Sequence, residues 1–191
     1  MRYLTLLILV AMTLTSCNRG FTPDERATIE AGTRDIMHVL SVVDHDDSLQ
    51  LRTPSLPLTH EMVLTTEFQR LCERMLATVQ DPENEGVGIA APQVGILRCM
   101  VAVQRFDKEG EPFEFYINPE IVERIGEKKC GGEGCLSVPE IRGEVERWHT
   151  IRLRYRDERF VEREETIEGF TAVIFQHELD HLDGKLFIDY L

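Results

Sequence analysis

Basic residues are scarce in this sequence. Its 191 residues include 21 lysines and arginines against 34 aspartates and glutamates, which gives a formal net charge of −13. A polyphosphate backbone would repel such a chain, and no stripe of basic residues interleaved with aromatics occurs anywhere. Nucleic acid is therefore excluded as an expected partner, and the acidity indicates a well solvated surface.

Long apolar runs, internal repeats and low-complexity segments are also lacking. A membrane-spanning helix needs roughly 20 apolar residues, and the one marked apolar run, residues 4–14, is shorter. A chain of 191 residues is long enough for one domain with a hydrophobic core and too short for two ordinary ones. These absences favour a single domain that does not span a membrane.

The first residues have the order of an export signal: a positive charge, an apolar run, and small residues before Cys17. The four residues that end at Cys17 resemble the lipobox of bacterial lipoproteins. Residues 1–17 would then be the signal segment, and a lipid on Cys17 would anchor the chain to a membrane outside the cytosol. Residues 18–38 would be a tether, so a chain that begins near Asp35 would be soluble and fully active. An uncleaved N-terminus, or translation from Met37 that yields a cytoplasmic form, stays open.

Apolar periodicity predicts an α+β fold. Apolar residues recur at three- and four-residue steps over residues 63–79, which predicts a helix. Residues 22–38 are also predicted to be helical, but they lack a strong apolar face and are interpreted as a spacer or surface helix. Alternation predicts strands over residues 100–103, 113–117, 121–125 and 150–156, followed by a last helix over residues 169–182. We expect antiparallel sheets with one solvated face, wrapped around this central C-terminal helix.

The predicted last helix contains the pattern H-E-x-x-H. His177 and His181 are one turn apart on the same helix face, so both imidazoles can reach one metal ion. Glu178 lies close enough to act on a water at that ion as general acid and base. The pattern predicts a catalytic metal site.

Such a site needs a third protein ligand. Downstream of His181 the plausible donors are Asp183 and Asp189; upstream, Cys135 follows a glycine-rich turn that presents its thiol on irregular backbone. A thiolate is a strong ligand for Zn(II) or Fe(II). Taken alone, Cys135 would more often be a buried apolar residue than a metal ligand.

The other cysteines carry no clear chemistry. Cys72 lies in an apolar helical pattern and Cys99 in an apolar strand pattern, which favours buried free thiols. In an exported protein, Cys72, Cys99, Cys130 and Cys135 could be oxidised, and the sequence does not choose among the pairings.

Residues 86–93 form a segment rich in small residues that ends in Gln93. Its glycines and alanines allow backbone to approach a ligand closely, and Gln93 offers an amide donor. It lacks the lysine and hydroxyl of a nucleotide-binding loop. A tight turn packed against a sheet is the plain alternative.

Together, these three segments resemble the motifs of peptide deformylases, whose patterns read G-x-G-[LI]-A-A-x-Q, E-G-C-L-S and Q-H-E-x-D-H. All key positions are filled, with Ile89 as a mild departure. The resemblance covers residues 39–191, which it identifies as a catalytic domain, and leaves residues 1–36 outside. It implies the peptide deformylase fold and hydrolysis of the formyl group from N-formyl-methionyl peptides by a monomeric enzyme.

The resemblance also implies a role for each matching residue. Cys135, His177 and His181 would hold one divalent metal, Fe(II) natively, with Zn(II) or Ni(II) possible on the same ligands. Glu178 would be the acid and base, while Gln93 and the backbone N–H of Leu136 would donate to the oxyanion. Glu133 would pair with Arg147 beside the cysteine loop. The substrate would be bound by Val87, Gly88, Arg142, Phe170, Val173 and Ile174. Gly131 falls where several relatives have a larger apolar residue, so the resemblance does not fix the shape of the pocket.

Two rival functions remain at this point. A zinc endopeptidase would share both histidines and Glu178, but it needs a downstream ligand, and only ten residues follow His181. A lipoprotein that keeps the metal as a structural clip and binds peptides without turnover would need neither Glu178 nor Gln93. The short segment after His181 argues against the endopeptidase, and the presence of Glu178 and Gln93 argues against the binding protein. The sequence therefore favours the deformylase.

Overall fold

Helices occupy the first half of the chain and strands most of the second half. The computed structural model describes residues 20–32 and 35–191. The helices are α1 (Pro23–Glu30), α2 (His45–Leu51), α3 (His60–Val63), α4 (Thr66–Val79) and α5 (Gly169–Leu182). The strands are β1 (Gly88–Ala90), β2 (Met100–Gln104), β3 (Phe113–Cys135), β4 (Val138–Arg156) and β5 (Glu162–Glu168), and short 3-10 turns cover Ala91–Val94 and Phe187–Tyr190.

The described strands form one antiparallel sheet in the order β1-β2-β3-β4-β5. The strands predicted over residues 113–117 and 121–125 are one strand in the structure, because shifts in the pairing of β3 with β4 bend the strand without ending it. The alternation also missed β5, whose one apolar residue, Ile167, is buried. An edge strand of this kind is typically rich in charge.

The sheet is covered on both faces near its β1 and β2 edge. In β2, Met100 and Ala102 belong to one core cluster, while Val101 and Val103 belong to another. The first cluster lies against α1, α3 and α4, and the second against α5. The expected solvated face is present at the end of β4, where Arg152 and Arg154 are exposed on either side of the buried Leu153.

α5 is the central helix that the sequence predicted, and it contacts β1, β2, β4 and β5. Its buried residues lie on several sides, including Thr171, Phe175, Gln176 and Glu178. A helix enclosed in this way has little amphipathic character. The metal-binding pattern is thus held in the interior of the protein.

The helix predicted over residues 63–79 begins later than its apolar pattern. Val63 ends the short α3, and Thr65 then caps α4 by accepting a hydrogen bond from the Phe68 N–H at 3.2 Å. The apolar stripe continues across the break because both helices pack on the same core.

The N-terminal helix differs most from expectation. We predicted a spacer or surface helix over residues 22–38, but α1 ends at Glu30 and packs against α4. Phe21 and Ile29 are fully buried, at 1% and 0% exposure. Residues 21–30 are therefore part of the folded core, and the tether prediction is wrong for them. α1 contains a single buried residue, Ile29, which leaves too weak a periodicity to be recognised.

All four cysteines in the described part of the chain are free. Cys72 and Cys99 are half-buried, as expected for thiols in apolar patterns, and Cys130 is exposed. Cys17 lies outside the described residues. Within the described ranges, none of the helices has both the length and the apolar character needed to cross a membrane.

Candidate metal and substrate site

Three ligand side chains converge where the end of β3 meets α5. Cys135 is the last residue of β3, and its Sγ lies 3.2 Å from His181 Nε2. The ligand atoms of Cys135, His177 and His181 all lie within 4.8 Å of one another. Tetrahedral ligands at about 2.0–2.3 Å from an ion stand roughly 3–4 Å apart. The side chains present therefore fit a divalent metal.

The alternative third ligands point elsewhere. Asp183 is exposed and pairs with Lys185 at 2.9 Å. Asp189 pairs with Arg52 and accepts a hydrogen bond from the Leu186 N–H at 2.9 Å. Tertiary structure thus selects Cys135 from the candidates that the sequence left open.

A buried ion-pair network holds His177 in place. Glu133 Oε2 lies 2.8 Å from His177 Nδ1, and Arg147 donates to both oxygens of Glu133 at 2.7 and 3.1 Å. Burial raises the pKa of Glu133, but the hydrogen bonds from His177 and Arg147 outweigh it and lower this pKa to about 2. The structure brings the predicted Glu133 and Arg147 together, and a fixed carboxylate on Nδ1 leaves Nε2 of His177 for the metal.

Sequence reasoning missed one member of this network, Asp180. Its carboxylate accepts a hydrogen bond from Arg147 at 2.5 Å and another from the Tyr190 hydroxyl at 3.0 Å. The signal was present, because Asp180 is the aspartate in the Q-H-E-x-D-H pattern. Asp180 couples the arginine to α5 itself.

The two histidines differ in their electrostatics. Burial lowers the pKa of His177, but its bonds with Cys135 and Glu133 outweigh burial and raise this pKa to about 10. Burial, together with the positive charge of His177, places the pKa of His181 well below 6.5. Because a metal ligand must be deprotonated, with histidine neutral and cysteine a thiolate, metal binding is expected to release a proton from this cluster.

Glu178 is suited to carry a proton near neutral pH. It is 4% exposed, and burial raises its pKa to about 7. Its Oε2 has no hydrogen-bond partner among the residues that the structure describes. An unsatisfied carboxylate oxygen facing the ligand cluster is the expected arrangement for a group that acts on water or substrate.

Gln93 lies on the other side of the cluster, in the 3-10 turn after β1. Its Oε1 accepts a hydrogen bond from the Ala90 N–H at 2.9 Å, which fixes the amide orientation. Its Nε2 points to Cys135 Sγ at 3.5 Å and Ser137 Oγ at 3.3 Å. The amide donor is therefore directed at the metal centre. Ser137, which is fully buried, was not predicted.

A cavity of about 320 Å³ opens from this centre. Every predicted substrate-binding residue lines it: Val87, Gly88, Arg142, Phe170, Val173 and Ile174, together with Gln93, Leu136, Glu178, Cys135 and His177. Gly132 lines the cavity, whereas Gly131 does not. Larger cavities of about 490 and 390 Å³ lie outside the ligand cluster. We assign the site to the smaller cavity because it contains the chemistry.

Two glycines in the cavity wall allow close approach. A Cβ on Gly134 would overlap the Arg142 guanidinium, and a Cβ on Gly88 would stand 2.5 Å from Glu178 Oε1. Because Gly134 has no side chain, the exposed Arg142 guanidinium can lie at the mouth of the cavity. Gly88 likewise lets the backbone approach the buried Glu178 carboxylate.

The chain was compared with known proteins. Residues 39–191 match the family described as polypeptide deformylase. A peptide deformylase of Leptospira biflexa is 40% identical over 148 residues, covering 74% of this chain and 82% of that protein. Peptide deformylase 2 of Xanthomonas campestris is 40% identical over 155 residues, covering 81% of this chain and 88% of that protein.

Solved structures give the same result. An actinonin-bound class I type b peptide deformylase from Acinetobacter baumannii superposes with a TM-score of 0.72 at 35% identity, covering 82% of this chain and 98% of that one. Peptide deformylase from Thermotoga maritima gives 0.71 at 36% identity, covering 82% and 97%. These likenesses confirm the predicted fold class, and this chain belongs to the peptide deformylase family of metal-dependent hydrolases.

Proposed function

We propose that this chain hydrolyses N-formyl-methionyl peptides to formate and a free amino terminus, using a metal held by Cys135, His177 and His181. The observation that carries this function is the convergence of those ligands with Glu178 and Gln93 on one cavity. The Acinetobacter baumannii deformylase, 33% identical to this chain, has a structure with Met-Ala-Ser bound. That peptide has the form expected of a deformylation product.

The ligand set favours a metal that accepts both sulfur and nitrogen. We propose Fe(II) as the native ion, with Zn(II) and Ni(II) able to occupy the same ligands. Held by these ligands, such an ion would act as a Lewis acid. It would make water nucleophilic enough to react near neutral pH and would polarise the formyl oxygen.

Glu178 moves the proton. With a pKa of about 7, its carboxylate can take a proton from the attacking water and return it to the departing amine. Because Glu178 lies close against Gly88, its carboxylate has little room to change position between the two proton transfers. The same carboxylate can therefore serve both steps. General acid and base catalysis of this kind typically contributes about 100- to 10,000-fold to the rate.

Gln93 and Leu136 flank the position of the developing oxyanion. Gln93 Nε2 is oriented by the Ala90 N–H on its Oε1, and Leu136 lies in the turn directly after Cys135. We propose that the Gln93 amide and the Leu136 backbone N–H donate to the formyl oxygen as it gains charge. Losing one such donor typically costs on the order of 100-fold or more in rate.

Apolar side chains of the cavity bind the methionine side chain. Val87, Val173 and Ile174 form its wall, and Phe170 stands at the rim with 55% exposure against Phe106. The exposed Arg142 lies at the mouth, where its guanidinium can donate to peptide carbonyl groups. We propose further that the enzyme acts as a monomer.

Formate release from an N-formyl-methionyl tripeptide by the Fe(II)-loaded protein tests this function. Glu178→Ala should keep its metal and lose turnover, because Glu178 moves protons and does not bind the ion. Asp183→Ala, which removes an exposed carboxylate from the end of the same helix, is the matched control and should retain both. Cleavage inside the peptide would indicate an endopeptidase, and binding without formate release would indicate a binding protein.

Localisation is a separate proposal. We propose that Cys17 carries lipid and anchors the enzyme to a membrane outside the cytosol. Because Phe21 is buried, the linker between lipid and domain is residues 18–20. The four steps from Cys17 to Phe21 span at most about 14 Å, so the domain would lie directly on the membrane surface.

Fractionation of the native cell tests the anchor. The wild-type protein and Cys130→Ser, which removes an exposed cysteine elsewhere, should fractionate with membranes and carry lipid mass on Cys17. Cys17→Ser should be soluble, with unchanged turnover. Unmodified full-length wild-type protein in the soluble fraction would refute the anchor.

A further inference from the structure

We infer that residues 21–32 and 35–37 form a support that holds the turn Ala91–Val94 and thereby positions the Gln93 amide at the metal centre. These residues precede the family match, which begins at residue 39. The inference rests on the role proposed for Gln93 and adds a positioning element to it.

Apolar packing joins the support to the turn. Phe21 and Ile29 lie in the same buried cluster as Ala91 and Val94, with all four side chains at 2% exposure or less. Burying two large apolar side chains stabilises this contact through the hydrophobic effect. The apolar side of the turn therefore rests partly on residues outside the family match.

Contacts with α1 also hold the chain at and just after the end of the turn. Gly95, which ends the turn at φ 82°, lies against α1, with the Thr28 methyl 3.5 Å from where its Cβ would stand. Glu25 accepts two hydrogen bonds from Arg98 at 2.5 and 3.0 Å, three residues further on. The Gln93 carbonyl itself accepts from the Leu40 N–H at 2.8 Å, just after the support ends.

Arg74 of α4 holds the support in position. Its guanidinium is 3% exposed and donates to backbone carbonyls on both sides of the α1 C-terminus. The acceptors are Thr28 at 3.3 Å, Ile29 at 2.5 Å, Asp35 at 3.2 Å and Ile36 at 3.4 Å. Carbonyls at a helix C-terminus attract cations, and a buried arginine needs such partners. These hydrogen bonds of Arg74 can therefore form only when α1 is packed against α4.

These contacts determine the position of one atom, Gln93 Nε2, which is the proposed donor to the oxyanion. Gln93 has its backbone carbonyl held by Leu40 and its Oε1 held by Ala90, so its Nε2 can move only if the turn moves. A displacement of about 1 Å at a catalytic group can cost on the order of 100-fold in rate. Loosening the support should lower kcat without touching the metal ligands.

The test compares Arg74→Met with Arg70→Met in the full-length, metal-loaded enzyme. Arg70 lies on the same helix and also reaches the support, but only through a solvent-exposed ion pair with the Asp35 side chain, which contributes far less than the buried hydrogen bonds of Arg74, so its removal should have little effect. Arg74→Met should lower kcat by about 10- to 100-fold, with KM and metal content unchanged. Hydrogen exchange at the Gly95 and Ile96 amides should speed up, since both close the turn.

A double-mutant cycle with Gln93→Ala separates positioning from general destabilisation. Once Gln93 is absent, Arg74→Met should have no further effect on kcat; an equal loss in both backgrounds would overturn the inference. If Arg74→Met does not fold, Ile29→Ala takes its place in the cycle, and the same outcomes support or overturn the inference. If Gln93→Ala alone leaves kcat unchanged, the role proposed for Gln93 is wrong. If it lowers kcat while both support variants do not, the support alone is refuted.

Discussion

A single methyl group added at Gly88 should disable the reaction without removing the metal. A Cβ at this position would stand 2.5 Å from Glu178 Oε1 and 2.8 Å from Ile174 Cγ2. Normal contact between such atoms is about 3.5–4.0 Å. Because Ile174 is itself packed in the core, the Gly88→Ala variant must displace the Glu178 carboxylate by roughly 1 Å.

The size of the effect follows from that displacement. A catalytic group misplaced by about 1 Å can lose on the order of 100-fold in rate, so kcat should fall by about that factor. Overpacking typically costs about 1–3 kcal/mol, so the variant should fold with a lower Tm. Metal content should be unchanged, since the atoms nearest to the added methyl group belong to Glu178 and Ile174 and not to a metal ligand.

Three measurements on purified protein check this reasoning: kcat for formate release, metal per chain and Tm. Gly132→Ala is the matched control, because Gly132 also lines the cavity and its Cβ would meet no atom within 4 Å. A Gly88→Ala enzyme with wild-type kcat would falsify the placement of Glu178. Loss of metal from that variant would mean that Gly88 supports the ligands instead.

Three further predictions concern the metal, the pH and the N-terminus. Cys135→Ser should bind metal more weakly, because an alcohol is a poor substitute for a thiolate; unchanged affinity by chelator competition would exclude Cys135 as a ligand. Glu133 has its pKa lowered from 4.5 to about 2 in the folded state, so its stabilisation is fully present above pH 4.5 and is lost as the pH falls toward 2. The difference in urea midpoint between wild type and Glu133→Gln should shrink over that window, and a constant difference would contradict this. Removing residues 1–34 should lower the free energy of unfolding by roughly 3–6 kcal/mol through two lost buried side chains, contrary to the tether prediction; an unchanged Tm would restore that prediction.

Local patterns in the sequence account for most of the site. His177, Glu178 and His181 belong to one helix, so their shared face follows from helix geometry alone. Gln93 and Cys135 were recognised because each belongs to a segment whose residues match a family pattern position by position. Ser137 and Asp180 lay inside those segments but were missed, since a hydroxyl and a carboxylate on their own indicate no particular partner.

The sequence by itself determined the α+β class, the central helix and the motif residues, because each depends on periodicity or spacing over a few residues. Helix spacing left Asp183 and Asp189 open beside Cys135 and the family pattern pointed to Cys135, but the tertiary structure decided the question by bringing the Cys135 thiol to the two histidines. It also decided that α1 is core rather than tether, through Arg74 and two buried side chains. The physical reason is common to both: these outcomes depend on distances between residues about 40 or more positions apart, which no local pattern encodes.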